Sequence, residues 1–158
     1  MYLELEPVFE REGGELPFAY EFALDDPVIA SPVRVTGRAF NKTGIVHLEA
    51  EAGYTLKTEC ARCSGAIERT VRVPVSHVLL THLENEADDD DLYIVCDRMH
   101  LDLDALVGED IVLAMPPRWL CRPDCKGLCS VCGADLNEGD CGCSPAADPR
   151  WDALKDMF

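Results

Sequence analysis

The chain has 158 residues, enough for one domain with a real core or for a smaller domain carrying a metal-held appendage. Its formal net charge is −16, with 30 acidic residues against 14 basic ones, so it repels nucleic-acid phosphates at long range and is expected to meet basic partners. No apolar run is long enough to span a membrane, and the opening Met-Tyr-Leu-Glu-Leu-Glu-Pro lacks the basic and apolar regions of a secretory leader, so a cytoplasmic, reducing location is expected.

Residues 1–30 are acidic and broken by Gly13-Gly14, Pro17 and Pro27. Short strands or turns are expected at Pro7-Val-Phe and Leu16-Pro-Phe18, and no chemistry. Residues 33–82 form the strand-rich body. Val33, Val35, Ala39 and Phe40 lead to a turn at Asn41-Lys-Thr-Gly44. Ile45–Leu48 begins the next strand, Ala52-Gly53 turns the chain, and Tyr54–Thr58 runs to a cap at Cys60–Gly65. Ile67, Val71 and Val73 follow, and Pro74 interrupts before Val75, Val78 and Leu80. Period-two alternation with Gly-containing turns argues for an antiparallel meander. This stretch is locally basic: Arg34, Arg38, Lys42, Lys57, Arg62, Arg69 and Arg72 stand against Glu49, Glu51, Glu59 and Glu68. Such a face can still touch RNA.

Residues 84–91 are an acidic run, read as a solvated loop or as a contact for a basic partner through Asp88, Asp89, Asp90 and Asp91. The spaced ligands and turn glycine of a calcium loop are missing. Leu92–Val95 looks like a strand, with Cys96 a buried thiol at its end. Residues 102–115 carry the best helix signal. Asp102 or Asp104 caps its start. Leu103, Leu106, Val107, Ile111 and Ala114 recur at three- and four-residue steps, Glu109 and Asp110 face water, and Pro116-Pro117 stops it. Its expected place is over one face of the sheet. A last short helix is expected from Asp148-Pro149, with Trp151, Leu154 and Phe158 on its apolar edge. His47, His77, His82 and His100 are scattered, and none is assigned as a ligand.

Eight of the nine cysteines fall into four close pairs: Cys60/Cys63, Cys121/Cys125, Cys129/Cys132 and Cys141/Cys143. Two thiolates with two residues between them can face one ion, and Gly133 permits the tight turn that such a knuckle needs. Eight thiolates suit two tetrahedral four-cysteine zinc sites, or one site with cysteines left over. In the favoured partition Cys129, Cys132, Cys141 and Cys143 form one site, and Cys60, Cys63, Cys121 and Cys125 the other. A single site using Cys60, Cys63 and two of the six downstream cysteines is the alternative. Disulfides belong to oxidising compartments, and the spacing matches neither ferredoxin pattern. Arg122 and Lys126, beside the cysteines, join Arg62 and Arg69 as candidate RNA contacts.

Cys60-Ala-Arg-Cys63, the Leu103–Pro117 helix ending Glu-Asp-Ile-Val-Leu-Ala-Met-Pro, Cys121-x-x-x-Cys125-Lys-Gly-Leu-Cys129-x-x-Cys132-Gly, Leu136-Asn137, Cys141-x-Cys143 and Asp148-Pro-Arg-Trp-x-x-Leu154 occur in that order. From about Thr58 onward the chain thereby resembles the YceD family of large ribosomal RNA subunit accumulation proteins. The resemblance implies a factor supporting large-subunit ribosomal RNA; the acidic charge adds the expectation of a basic ribosomal protein or assembly intermediate as partner, beside that RNA. The expected fold is α+β: an antiparallel sheet body with a covering helix over residues 1–117, and a zinc-braced, cysteine-rich segment over 118–158 with one or two zinc ions. No Ser/His/Asp or Cys/His set and no Gly-rich phosphate loop is present, so no enzyme and no small-molecule substrate are expected. The competing readings are a zinc-ribbon nucleic-acid binder acting alone and a thiol redox protein.

Overall fold

The computed structural model describes residues 1–82 and 93–144. The chain divides into two compact units. The first combines Met1–Lys57 with Glu68–Pro117, and the second joins Thr58–Ile67 to the segment from Arg118 onward. The expected run at Asp88–Asp91 and the expected final helix lie outside the described residues.

The first unit contains β1 (Tyr2–Glu4), α1 (Glu6–Phe9), β2 (Glu15–Phe22), β3 (Val33–Lys42), most of β4 (Ile45–Glu59) and of β5 (Ala66–Leu80), β6 (Tyr93–Val95), β7 (His100–Asp102) and α2 (Leu103–Ala114). The main sheet has the order β2-β3-β4-β5-β6, and β1 pairs with β7 in a separate ribbon. The class is α+β and the sheet mostly antiparallel. One pair departs from the meander: β6 runs parallel to β5, Val78 opposite Tyr93 and Leu80 opposite Val95.

Alternation builds the core. Val33, Val35 and Ala39 of β3 are fully buried, as are Leu48, Ala52 and Leu56 of β4 with Tyr54 between the last two, while the residues next to each face outward or sit half-buried. Thr43 and Gly44 both adopt positive φ, 53° and 86°, between Lys42 and Ile45, which pair. This two-residue loop matches the twist of the flanking strands. Among the described residues Asn41 is the one buried polar residue. Its Oδ1 accepts from the Gly44 N–H at 3.0 Å and its Nδ2 donates to the Val8 carbonyl at 3.0 Å, fixing α1 to the hairpin. At Gly37 the neighbouring strand comes so close that an added Cβ would lie 2.4 Å from the Ala50 Cβ.

Several expectations change. Ala52-Gly53 is not a turn: β4 runs straight through it, with Gly53 opposite Arg34. Pro74 does not interrupt β5. Strand β6 meets β5 only at Val78–Leu80, so at Pro74 β5 has no β6 neighbour, and proline is accommodated on such an edge. Residues 1–9 supply β1 and the single turn α1, whose Leu5 and Val8 side are 0% and 1% exposed. Helix α2 is capped by Asp102, whose carboxylate accepts from the N–H groups of Asp104 and Ala105. It buries Leu103, Leu106, Val107 and Ile111, but Ala114 faces out. Asp110 does not face water freely: its carboxylate is half-buried and accepts from His77 Nε2 at 2.8 Å. Among the described residues no helix is long and apolar enough to cross a membrane.

Candidate metal centres

The second unit has little apolar core. Among its described residues, Cys60, Ile67 and Cys125 are the buried hydrophobic ones. Sulfur clusters take the place of a core. The Sγ atoms of Cys60, Cys63, Cys121 and Cys125 all lie within 4.8 Å of one another, as do those of Cys129, Cys132, Cys141 and Cys143. All nine cysteines are free thiols.

The two Cys-x-x-Cys turns repeat one backbone pattern. In the first, the Cys60 N–H donates to the Gly65 carbonyl at 2.8 Å and the Ser64 N–H to the Cys60 carbonyl at 2.9 Å. In the second, the Cys129 N–H donates to the Ala134 carbonyl at 2.8 Å and the Gly133 N–H to the Cys129 carbonyl at 2.9 Å. The first sulfur of each turn accepts from the N–H two residues on: Arg62 to Cys60 at 3.5 Å, Val131 to Cys129 at 3.4 Å. Each turn then needs a left-handed residue. Gly133 supplies it at φ 74°, whereas the first turn holds Ser64 at φ 57°.

These N–H groups act on the thiols. Cys60 is pulled down to about 6 by the backbone N–H groups of Cys121, Arg62 and Cys63. Cys129 is pulled down to about 6 by those of Cys132 and Val131. Cys121 is pushed up to about 12, first by the adjacent Cys125 sulfur and then by burial. In the first group one sulfur thus ionises readily while hydrogen bonding between sulfurs and burial hold the proton on Cys121. A full set of four thiolates therefore calls for a cation at the centre.

The donor set fits a tetrahedral ion. With metal–sulfur bonds of about 2.3 Å, the edge of the tetrahedron is about 3.8 Å. Cys60 to Cys125 is 3.8 Å and Cys63 to Cys121 is 3.7 Å. A disulfide bond of about 2.05 Å is far shorter than these separations.

Between the two groups runs a segment fixed by Arg62 and Asn137. The Arg62 guanidinium donates to the Cys125 carbonyl at 2.7 Å, and its own carbonyl accepts from the Leu128 N–H at 3.1 Å. Gly127, at φ 78°, passes so near that a Cβ would sit 2.9 Å from the Arg62 carbonyl oxygen. Asn137 Oδ1 accepts from Arg122 Nη2 at 2.8 Å and from the Lys126 N–H at 2.9 Å. Its Nδ2 donates to the Cys125 sulfur at 3.4 Å and to Asp135. Residue-type reasoning passes over Asn137 as a site residue; the Leu136-Asn137 pair within the family-like motif order was the available signal.

The candidate partner residues have mixed placements. Arg62 and Arg122 are exposed but engaged at the first sulfur group, and Lys126 is exposed beside them. Arg69 is exposed on β5. Much of the basic stretch is offset by neighbouring carboxylates: Arg34 with Glu21 at 2.6 Å, Arg38 with Glu15 at 3.1 Å, Lys57 with Glu68 at 3.3 Å and Arg72 with Glu51 at 3.4 Å. The ninth cysteine, Cys96, is buried, and burial pushes its thiol up to about 11. Such a thiol is inert at neutral pH.

An uncharacterized protein of Mycobacterium bovis is 30% identical over 103 residues, covering 63% of this chain and 49% of the relative. One of Mycobacterium leprae is 28% identical over 104 residues, covering 64% of this chain and 48% of the relative. A maize protein named as a chloroplastic homolog of the large ribosomal RNA subunit accumulation protein is 34% identical over 71 residues, 44% of this chain and 24% of the relative. The chain thus spans about half the length of the mycobacterial relatives it matches. No solved structure matches it significantly. The sequence model of the family described as large ribosomal RNA subunit accumulation protein YceD matches residues 48–158, which include all eight clustered cysteines. The chain belongs to the YceD family.

Proposed function

We propose that the protein is a non-enzymatic, cytoplasmic ribosome-biogenesis factor that supports accumulation of large-subunit ribosomal RNA. It does so by holding a basic ribosomal protein or an assembly intermediate. Two zinc ions, one on Cys60, Cys63, Cys121 and Cys125 and one on Cys129, Cys132, Cys141 and Cys143, brace the second unit. The observation that carries the structural role is the closure of each donor set. Four thiols fill a tetrahedral ion and leave no position for a substrate or an activated water. Zinc supplies cross-linking and charge neutralisation there; the protein supplies backbone N–H groups to the sulfurs.

The net charge of −16 supports a basic partner. The pairing of Arg34, Arg38, Lys57 and Arg72 with glutamates reduces the positive potential that a stand-alone RNA binder needs. Arg62, Arg122 and Lys126 around the first sulfur group favour a secondary RNA contact within a larger complex. The test is capture of purified basic large-subunit ribosomal proteins by the intact zinc-loaded protein across a salt series, with ribosomal RNA alone as the second probe. Salt-sensitive capture of a ribosomal protein supports the reading. Tight binding of RNA alone, with no ribosomal protein captured, would replace it with the zinc-ribbon alternative.

A further inference from the structure

Helix α2 buries one stripe and leaves another bare. Val112 is 54% exposed and Leu113 is 83% exposed, near the C-terminal end of the helix. They do not stand alone. With Leu24, Ala105 and Gly108 they line a shallow groove of about 500 Å³. Leu24 packs against the helix at Gly108, its Cδ1 3.4 Å from where a Cβ on Gly108 would sit. Exposed aliphatic side chains grouped in a groove mark an interaction site more often than scattered ones do.

The rim decides the occupant. Glu109 lines the groove and is exposed, Asp104 lines it with its carboxylate held by the Met1 ammonium, and α2 has no basic residue along its length. Asp25 and Asp26 follow Leu24 directly in the chain. An apolar trough edged by carboxylates complements a segment with an apolar stripe flanked by Lys or Arg. A second copy of this chain would bring another −16 to the contact. Residues 145–158 hold Asp148, Asp152 and Asp156 against Arg150 and Lys155, and also offer no excess of base. RNA has neither the apolar stripe nor the charge.

We infer that the groove between Leu24 and the Val112–Leu113 end of α2 is a docking site for a basic amphipathic segment of the partner protein. The inference rests on the proposed function for the partner's identity, and on the groove itself for the chemistry. The Glu109 carboxylate and the net negative charge of the chain speed and orient the encounter, and Val112 and Leu113 hold the bound segment.

The experiment uses the intact zinc-loaded protein and a synthetic Leu/Lys amphipathic helix. The same helix with Glu for Lys is the control. Binding is followed by fluorescence anisotropy and mapped by amide shifts. The Leu/Lys helix is expected to shift Leu24, Ala105, Gly108, Val112 and Leu113, and the Glu version to shift none. The double variant Val112→Asn, Leu113→Asn should weaken binding at least about tenfold, from the loss of buried aliphatic area. Both positions are exposed, so unchanged far-UV dichroism and unchanged amide spectra elsewhere serve as the folding control. Equal binding by the double variant overturns the inference. So does a wild-type dimer that the variant turns into a monomer, or release of the groove for the helix on deletion of 145–158. Capture of ribosomal proteins separates the two levels. A ribosomal protein held equally by the double variant keeps the proposed function and ends this inference. A groove that takes the Leu/Lys helix through Leu113 while no ribosomal protein is captured does the reverse.

Discussion

Asn137 offers a direct probe of how the first sulfur group is held. Asn137→Ala removes the Nδ2 donor to the Cys125 sulfur and the Oδ1 acceptor of the Lys126 N–H. Each such bond contributes about 1 kcal/mol net, and together they amount to about 2 kcal/mol, or about thirtyfold in zinc affinity. The Arg122 bond is exposed and adds little. Loss of a hydrogen bond to a metal ligand costs about 10–100-fold in affinity, which brackets this figure. The assay is competition with a chromophoric chelator, which resolves tighter and weaker zinc in one titration. One zinc per chain should weaken about thirtyfold while the other, on Cys129, Cys132, Cys141 and Cys143, changes little. Asn137→Asp keeps the acceptor for Arg122 and Lys126 and removes the donor to sulfur, so it should still weaken the same zinc. Zinc affinities within about twofold of wild type for both variants would refute the reasoning.

Ser64→Gly should stabilise the first knuckle by about 1 kcal/mol, since Ser64 adopts φ 57° where the equivalent Gly133 pays no steric cost; chelator competition or thermal melting of the zinc form reads it. Gly37→Ala should destabilise the first unit by about 2–3 kcal/mol, because the new Cβ falls on the Ala50 side chain and the Glu49 carbonyl; urea unfolding measures it. Removing zinc should raise amide exchange in 58–67 and 118–144 while the sheet around Val33, Val35, Leu48 and Leu56 stays protected, because only the second unit lacks an apolar core. Zinc affinity should fall as pH falls, since protons compete for the thiolates. The fall should steepen below about pH 6, where Cys60 and Cys129, already deprotonated above it, also take up protons.

Helix α2 was legible in the sequence because three signals coincided: a capping Asp102, aliphatic residues at helical steps, and Pro116-Pro117 beyond its end. The strands were legible in kind but not in length. Gly53 and Pro74 punctuate a chain locally, and only the neighbouring strands reveal that one is paired and that the other lies outside the stretch where β6 pairs. The parallel partnership of β6 depends on a distant segment returning beside β5, which no local pattern encodes. The turn α1 is too short to show a period. In the second unit, spacing alone marks the Cys-x-x-Cys turns, because two residues between thiols suffice to aim both at one point. Spacing could not reveal Asn137, whose role depends on Cys125 and Lys126 folding back against it. Nor could it show that the basic side chains of 34–72 would meet glutamates across the strands.

The most direct measurement is the metal content of the intact chain by native mass spectrometry, on protein purified without added metal. The account predicts two zinc ions per chain, one for each set of four cysteines that could hold an ion. A metal-free chain whose mass is lowered by pairs of hydrogens would mean disulfides, and the bracing of the second unit would need a different explanation.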